Sequence, residues 1–183
     1  MNALVQSPSG NAMIRPTRVA PPGQYLTFMQ GGELFAIGIL AIKEIIQFQG
    51  VTTVPMMPEC IRGVINLRGA VVPVVDLPAR FGRPGSEVTK RSCIVIVEVE
   101  AADECHVIGV MVDAVSEVLE IAAADIEPAP TFGTRIRSDF ILGMGKVQDR
   151  FVILLDANQV LAIDPTIETL GHAAAPDTSV LLA

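Results

Sequence analysis

Residues that could carry out acid–base, nucleophilic or metal chemistry are scarce in this chain of 183 residues. Its histidines and cysteines are His106, His172, Cys60, Cys93 and Cys105. His106 follows Cys105 on a predicted strand, where adjacent side chains point to opposite faces, so the two cannot readily hold one metal ion. The cysteines lie in or beside apolar runs without a C-x-x-C spacing, which predicts reduced, buried thiols.

Two carboxylates, Glu98 and Glu100, share one face of a predicted strand, as a general acid and base would. They lead into the charged turn Asp103-Glu104, so a solvated strand end is the favoured interpretation. The chain also has no G-x-S-x-G nucleophile elbow and no phosphate-binding G-x-x-x-x-G-K-S/T loop. The sequence therefore predicts a binding module with no enzymatic activity, no cofactor and no metal site.

The composition narrows the class of protein further. Half of the residues are hydrophobic, yet the longest apolar run, Leu34 to Ile42, is much shorter than the roughly 20 residues that a membrane-spanning helix needs. A net charge of -7 offers no broad basic face to nucleic acid. The first residues lack a basic segment followed by an apolar core, so no signal peptide is expected. We therefore expect a soluble, cytoplasmic protein.

Short apolar segments separated by turn signals predict an all-β chain of antiparallel hairpins. The predicted strands are Gln24–Gln30, Glu33–Ile39, Glu44–Phe48, Gly63–Leu67, Val71–Asp76, Cys93–Val99, His106–Val112, Ser116–Ile121, Gly143–Val147 and Phe151–Asp156. Pro55 and Pro58 predict a short helical piece before Gly63. Asp156 is expected to cap a final helix, Ala157–Ile163.

An internal repeat organises these strands. A shift of 80 residues superposes Gly63–Leu77 on Gly143–Ala157 without a gap. Two shorter matches lie upstream: Ile37–Ile39 with Ile108–Val110, and Glu44–Ile46 with Glu117–Leu119. Each copy has five predicted strands, too few for an open sheet with both faces covered, so each is expected to close as a small barrel. Two such barrels would leave a groove between them, which is a favoured place for binding.

The repeat and the composition of the ends suggest four segments. Residues 1–23 hold four prolines in a polar background without periodicity, and we expect a disordered tail there. Residues 24–90 are assigned to the first barrel and 91–163 to the second. Residues 164–183 are assigned to a C-terminal extension.

Comparison of the two copies of the repeat draws attention to Arg68 and Glu44 as candidate interaction residues. Arg68 lies at the tip of a predicted hairpin, and its counterpart in the second copy is Gln148, so the fold does not require an arginine there. Arginine is frequent among interface hot spots, although a solvated turn residue is the alternative interpretation. Glu44 has the counterpart Glu117 and could equally be a charge at a strand edge.

Residues 25 to about 163 resemble the CheW family of chemotaxis coupling proteins. The matching segments are F-x-x-G-G-E-L-F-A-I-G-I from Phe28, Ala41–Ile46, Val54–Pro55, Gly63–Leu77, Ile108–Asp113 and Ile126–Pro128. The resemblance implies two tandem SH3-like five-stranded β-barrels with short helices and a C-terminal helix. It also implies a non-enzymatic adaptor, recruited to membrane-associated arrays, between methyl-accepting chemotaxis receptors and the histidine kinase CheA.

Site residues follow from the same resemblance. Receptor contacts are implied for Ile39, Ile42, Glu44, Ile45, Gly63 and Arg68. Contacts with the kinase regulatory domain are implied for Val51 and Thr52, and ring contacts, which include further CheW copies, for Pro128 and Phe132. An adaptor of a pilus or developmental array is the alternative within the family. A small enzyme that uses the groove between the barrels is the remote alternative.

Overall fold

Strands make up most of the computed structural model, which describes residues 20–129 and 136–162. The strands are β1 Gly23–Gln30, β2 Glu33–Gly38, β3 Ile42–Gln47, β4 Ile61–Leu67, β5 Ala70–Asp76, β6 Cys93–Ala101, β7 Glu104–Val112, β8 Ala114–Ile121, β9 Ile126–Glu127, β10 Ile141–Val147 and β11 Arg150–Leu155. Short 3-10 helices cover Ile39–Ala41, Ala123–Asp125 and Ser138–Phe140. The predicted all-β class is confirmed, and each of the ten predicted strands is present. The two-residue strand β9 was not predicted.

The helices differ from the prediction. The segment after Pro55 forms turns and leads into β4, so the helical piece predicted there is wrong. A helix, α1, instead follows β5 at Leu77–Arg80 and is capped by Asp76, whose side chain accepts from the Ala79 N–H at 3.3 Å. The final helix, α2, starts as predicted but covers only Ala157–Val160. In the described ranges no helix is both long and apolar enough to cross a membrane.

The strands form two mixed sheets, which correspond to the two predicted SH3-like barrels. Barrel I has the strand order β8-β1-β2-β11-β10-β9, and barrel II has the order β3-β6-β7-β5-β4. The first two strands of the chain therefore share a sheet with the last four, while β6 and β7 share a sheet with β3 to β5. The predicted boundary after residue 90 does not separate the two sheets, because strands are exchanged between the halves of the chain.

The repeat is visible in the pairing geometry. The β4–β5 hairpin has an irregularity between Ile61 and Gly63, and the β10–β11 hairpin has one between Ile141 and Gly143. The backbone N–H of Asp76 donates to the Cys60 carbonyl at 2.8 Å, and that of Asp156 donates to the Phe140 carbonyl at the same distance. In both features, the equivalent residues of the two hairpins are 80 positions apart in the sequence, as the predicted repeat requires.

The upstream part of the repeat has a different alignment from the predicted one. Val74 pairs in parallel with Gly109, and its counterpart Leu154 pairs in parallel with Ala36. Ala36 is therefore equivalent to Gly109. This shift of 73 residues also relates Glu44 to Glu117, and it displaces Ile37–Ile39 by two positions from the match that the sequence suggested.

The buried hydrophobic side chains of residues 20–129 and 136–162 form three clusters, and the largest lies between the barrels. In β6, Val95 and Val97 point into this shared core, whereas Ile94 and Ile96 point into the interior of barrel II. A smaller cluster around Leu154 fills barrel I. The groove that we expected between the barrels is instead packed core. Strands buried on both faces explain the long apolar runs, since neither face can be polar.

Aromatic side chains are concentrated in the shared core. Phe28 stacks on Phe35 with ring centroids 6.0 Å apart, Phe35 on Phe81 at 5.9 Å, and Phe81 lies 6.1 Å from Phe140. This row of aromatic rings joins β1 and β2 of barrel I to the end of α1, the helix that directly follows β5 of barrel II. Four of the seven phenylalanines thus hold the two barrels together.

A buried polar network makes a second connection between the barrels. Asp76, almost fully buried, accepts hydrogen bonds from Arg62 Nη1 at 2.8 Å and from the Ser86 N–H at 2.9 Å. Gln30 Nε2, at the end of β1, donates to Ser86 Oγ at 2.8 Å and to Asp113 Oδ1 at 3.1 Å. The loop around Ser86 is therefore fastened to both barrels.

The ordered fold begins slightly before the predicted end of the N-terminal tail. Ala20 is buried in the core of barrel I, and the Tyr25 hydroxyl donates to the Pro21 carbonyl at 2.5 Å. Residues 20–23 therefore belong to the fold and not to the tail. Residues 1–19 and 163–183, including His172, lie outside the described residues.

Candidate functional site

The turn between β4 and β5 presents Arg68 to solvent. Arg68 and Gly69 both have positive φ, 51° and 87°, which is the geometry of a tight hairpin turn. Asn66 Oδ1 accepts a hydrogen bond of 2.8 Å from the Gly69 N–H and thereby fixes the turn. Sequence reasoning missed Asn66, although an asparagine ahead of an Arg-Gly turn is a recognisable signal.

Arg68 forms an ion pair with Glu44 of β3. Arg68 Nη2 donates to Glu44 Oε2 at 2.7 Å, and the two side chains are 78% and 25% exposed. The other carboxylate oxygen, Glu44 Oε1, is buried and accepts no hydrogen bond from the described residues. The structure therefore brings together the two charged residues that the resemblance assigned to one surface. It also leaves the buried Glu44 Oε1 able to accept a further hydrogen bond.

A cavity of about 460 Å³ lies beside this ion pair, and we call it the hairpin cavity. It is bounded by the tips of the β4–β5 and β6–β7 hairpins and by the end of α2. Its lining residues are Lys43, Glu44, Val64, Leu67, Arg68, Ala70, Val71, Val72, Pro73, Ile96, Val99, Ala101, Glu104, Cys105, His106, Val107, Ile108, Leu161 and Ala162. Aliphatic walls with charges among the lining residues are typical of a recognition site.

Lys43 is a further lining residue, and it is paired with Glu98. Its Nζ lies 2.5 Å from Glu98 Oε2, and the hydrogen bond and charge of Glu98 raise the pKa of Lys43. Glu98 is thus a partly solvated partner of a lysine, in keeping with the interpretation as a solvated strand end. Among the described residues, no group of three His, Cys, Asp or Glu side chains is placed to hold a metal ion.

The isoleucines assigned to the receptor surface have different environments. Ile39 and Ile42 are partly buried and pack against the shared core. Ile45 is 43% exposed. None of the three is among the described residues that line the hairpin cavity. The structure therefore places them on neighbouring parts of the 3-10 helix and β3, and not in one pocket with Arg68.

Gly63 is buried and has a structural reason to be glycine. A Cβ at this position would lie 2.4 Å from the Thr52 carbonyl oxygen, which is far inside van der Waals contact. Thr52 forms a β-bridge with Val64, with N···O distances of 2.8 and 2.9 Å. Gly63 thus positions the segment that contains Val51 and Thr52, by allowing the two backbones to approach.

A second cavity, of about 600 Å³, contains this segment, and we call it the Thr52 cavity. It is lined by Ile46, Gln47, Gln49, Gly50, Val51, Thr52, Val64, Ile65, Asn66 and Ile94. Val64 lines both cavities. The surfaces assigned to receptor and kinase are therefore adjacent, with β4 between them.

The residues assigned to ring contacts lie on a different part of the chain. Pro128 is exposed and directly follows β9, which pairs with β10 of barrel I. Phe132 lies outside the described residues. Pro128 is not among the described residues that line the two cavities in barrel II.

Comparison with known families and proteins agrees with this architecture. A family model described as "CheW-like domain" matches residues 24–164. The chain is 33% identical over 139 residues to a protein named "Chemotaxis protein CheW" from Klebsiella aerogenes, covering 76% of this chain and 81% of that protein. It is 34% identical over 137 residues to a protein of the same name from Rhizobium meliloti, covering 75% and 86%.

A solved structure is similar as well. The crystal structure of the scaffolding protein TtCheW from Thermoanaerobacter tengcongensis superposes with a TM-score of 0.69 at 34% sequence identity. The superposition covers 79% of this chain and 91% of that one.

Proposed function

The chain belongs to the CheW-like domain family, and we propose that it is a non-enzymatic adaptor that couples methyl-accepting chemotaxis receptors to the histidine kinase CheA within signalling arrays. The relatives reported above carry chemotaxis names, which favours this role over an array for pili or development. Recruitment from the cytoplasm to membrane-associated arrays would follow from the receptor contact.

The Arg68–Glu44 ion pair beside the hairpin cavity is the observation that carries the proposal. Arg68 is mostly exposed, so its guanidinium keeps donors available for a partner. Glu44 Oε1 is a buried acceptor that receives no hydrogen bond from the described residues, and leaving such a group unpaired costs about 1–3 kcal/mol. A partner that supplies a donor to Glu44 would recover that free energy on binding.

The receptor tip that such an adaptor meets is a helical hairpin. A helix is recognised by an apolar groove with charges at its edge, and the hairpin cavity has aliphatic walls with Lys43 and Arg68 among its lining residues. Ile45, exposed on β3, would extend the apolar contact beyond the cavity. Ile39 and Ile42 would support this surface from their half-buried positions, and Gly63 would act by positioning and not by contact.

The kinase regulatory domain is assigned to the Thr52 cavity, through Val51 and Thr52. The Thr52 cavity shares the lining residue Val64 with the hairpin cavity. A displacement of β4 would therefore change the shape of both cavities. Ring contacts with the kinase or with further CheW copies are assigned to Pro128 and Phe132. Signalling through such contacts would change the conformational equilibrium of the kinase, provided that the contacts differ between its two states.

Co-purification tests the proposal most directly. The full chain is mixed with a receptor signalling tip and a kinase regulatory domain, first with each alone and then with both. We expect binary complexes with each partner and a ternary complex with both. Failure to bind either partner at protein concentrations of tens of micromolar would contradict the proposed adaptor role.

A further inference from the structure

Arg80, the last residue of α1, holds the end of α2. Its Nε donates to the Val160 carbonyl at 2.8 Å, and its Nη2 donates to the Ala162 carbonyl at 3.0 Å. The carbonyls at the end of a helix have no partner within the helix, and the planar donors of arginine can hold two acceptors in a fixed geometry. One side chain of α1 therefore fixes the chain on both sides of Leu161.

The guanidinium of Arg80 is itself held in place by an aromatic ring. It lies over Phe140, 5.0 Å from the ring centroid, and Phe140 is buried in the shared core. Arg137 lies over the same ring at 5.2 Å, but its Nη2 donates to Asp139 Oδ2 at 3.0 Å. The two arginines thus make comparable ring contacts and have different hydrogen-bond partners.

The residues on which Arg80 acts form part of the hairpin cavity. Leu161 and Ala162 line it, and Leu161 is also buried in the shared core. The beginning of α2 is attached separately, because Asn158 Oδ1 accepts from the Glu100 N–H at 3.1 Å. A helix as short as α2 is not stable by itself, so its position depends on such attachments. Arg80 provides the attachment next to the cavity.

Comparison of the two copies of the repeat indicates that the fold does not require this arginine. The shift of 80 residues places α1 on α2, and the counterpart of Arg80 is Val160. The equivalent helix of the second copy therefore ends with an aliphatic side chain. An arginine that is present in one copy alone and is bonded to the wall of a candidate binding site points to a role in that site.

We propose that Arg80 is a positioning residue for the receptor surface. It acts through Leu161 and Ala162, which it keeps in the wall of the hairpin cavity, and it is not itself among the described residues that line the cavity. A wall that is ordered beforehand costs less free energy to bind than one that must be ordered on binding. The effect on receptor affinity rests on the proposed function, whereas the effect on α2 does not.

Amide hydrogen exchange tests the effect on α2 without a binding partner. The N–H groups of Val160 and Leu161 donate to carbonyls four residues earlier at 2.9 and 3.0 Å, so their exchange rates report the opening of α2. Arg80→Leu should raise both rates about tenfold, because it removes two charged hydrogen bonds. Arg137→Leu is the matched control and should leave both rates unchanged. Unchanged rates in Arg80→Leu would overturn the proposal, and equal acceleration in both variants would assign the effect to the ring contact instead.

Arg80→Lys separates hydrogen-bond geometry from charge and keeps the substitution conservative. Lysine retains the positive charge near Phe140, but its single ammonium group does not reproduce two donors in one plane, so exchange at Val160 and Leu161 should rise about fivefold. Rates equal to those of the unaltered chain would contradict the role of the guanidinium. Acceleration of the same size in the amides of β6 would indicate a general loss of stability and would contradict a positioning role.

Affinities for the two proposed partners separate this proposal from the proposed function. Arg80→Lys should bind a receptor tip about fivefold more weakly than the unaltered chain. Its affinity for the kinase regulatory domain should not change, because no residue of α2 is among the described residues that line the Thr52 cavity. Faster exchange in α2 with unchanged receptor affinity would contradict the positioning of the receptor surface. Absence of receptor binding by the unaltered chain would count against the proposed function alone, since the exchange rates do not depend on it.

Discussion

Arg68 and Glu44 form an ion pair of 2.7 Å between the β4–β5 turn and β3, and the counterpart of Arg68 in the other barrel is Gln148. The pair therefore has no equivalent across the repeat. Because Arg68 is mostly exposed, the pair is worth no more than about 1 kcal/mol to folding. The weak contribution to folding and the position beside the hairpin cavity support the proposal that the pair interacts with a partner.

Arg68→Ala is the first test of this interpretation. We expect the substitution to weaken receptor binding by about 2 kcal/mol, a loss typical of a hot-spot residue, when affinity is measured by titration with a receptor tip. Gln148→Ala is the matched control, because both residues have positive φ and carry a similar backbone cost. Equal affinities for the two variants would contradict the role assigned to Arg68.

A double-mutant cycle separates stability from binding at the same pair. Glu44→Ala, Arg68→Ala and the double variant are compared by urea unfolding, and the coupling energy for stability should stay below about 1 kcal/mol. In receptor binding, the two changes should be clearly non-additive, because both remove parts of one contact surface. Additive effects on binding would place the two residues in separate sites.

Gly63→Ala should destabilise the protein by about 3 kcal/mol, because the new methyl group collides with the Thr52 carbonyl. Gly143→Ala makes an equivalent collision with the Glu127 carbonyl of barrel I, at 2.8 Å. Both variants should unfold at lower urea concentration. Only Gly63→Ala should weaken binding of the kinase regulatory domain, and a similar loss in Gly143→Ala would argue against the Thr52 cavity.

Arg62→Leu tests the network around Asp76. The counterpart of Arg62 in the repeat is Leu142, so leucine fits the hairpin, but the substitution leaves the Asp76 charge buried without its partner. We expect a loss of about 3 kcal/mol in the free energy of unfolding. Adding Asp76→Asn should restore part of the loss, since the charge is removed. Arg91→Leu, at an exposed position, should change stability by less than about 0.5 kcal/mol.

Burial raises the pKa of the Cys60 thiol. Its thiolate therefore forms at higher pH in the folded protein than in the unfolded chain, and the unfolded state releases the proton first. Stability should consequently fall as the pH rises above the ordinary thiol pKa of about 8.5. In a Cys60→Ala variant, thermal unfolding measured between pH 8 and 10 should show a weaker decline; an identical decline would assign it to other groups.

Local features of the fold could be predicted from the sequence, because they depend on residues close together in the chain. The turn at Arg68 could be predicted because Gly69 follows it, and the start of α2 could be predicted because Asp156 is a good N-cap residue. The exchange of strands could not be predicted in this way. Hairpin patterns indicate which neighbours pair, but the pairing of β3 with β6 joins strands that are separated in the chain by the β4–β5 hairpin and α1.

The candidate site was predictable only in part. The proximity of Arg68 and Glu44 was implied by the family resemblance, and spacing alone would not have joined a turn to a strand 24 residues away. Gly63 carries a usable signal, since glycine within a strand often marks the close approach of another backbone. The closing of the cavity by Leu161 and Ala162 has no signal in the sequence, because it depends on how α2 packs after the last strand.

The exchange of strands also determines when each of the two barrels can form during synthesis of the chain. Barrel I cannot close until β11 has left the ribosome, because β2 has β11 as one of its two neighbours and residue 35 pairs with residue 153. Such distant pairings slow folding relative to local ones. A chain cut between the halves of the repeat would complete neither barrel. The strands of barrel II are all present once β7 has been made, so the sheet of barrel II can form during synthesis before that of barrel I.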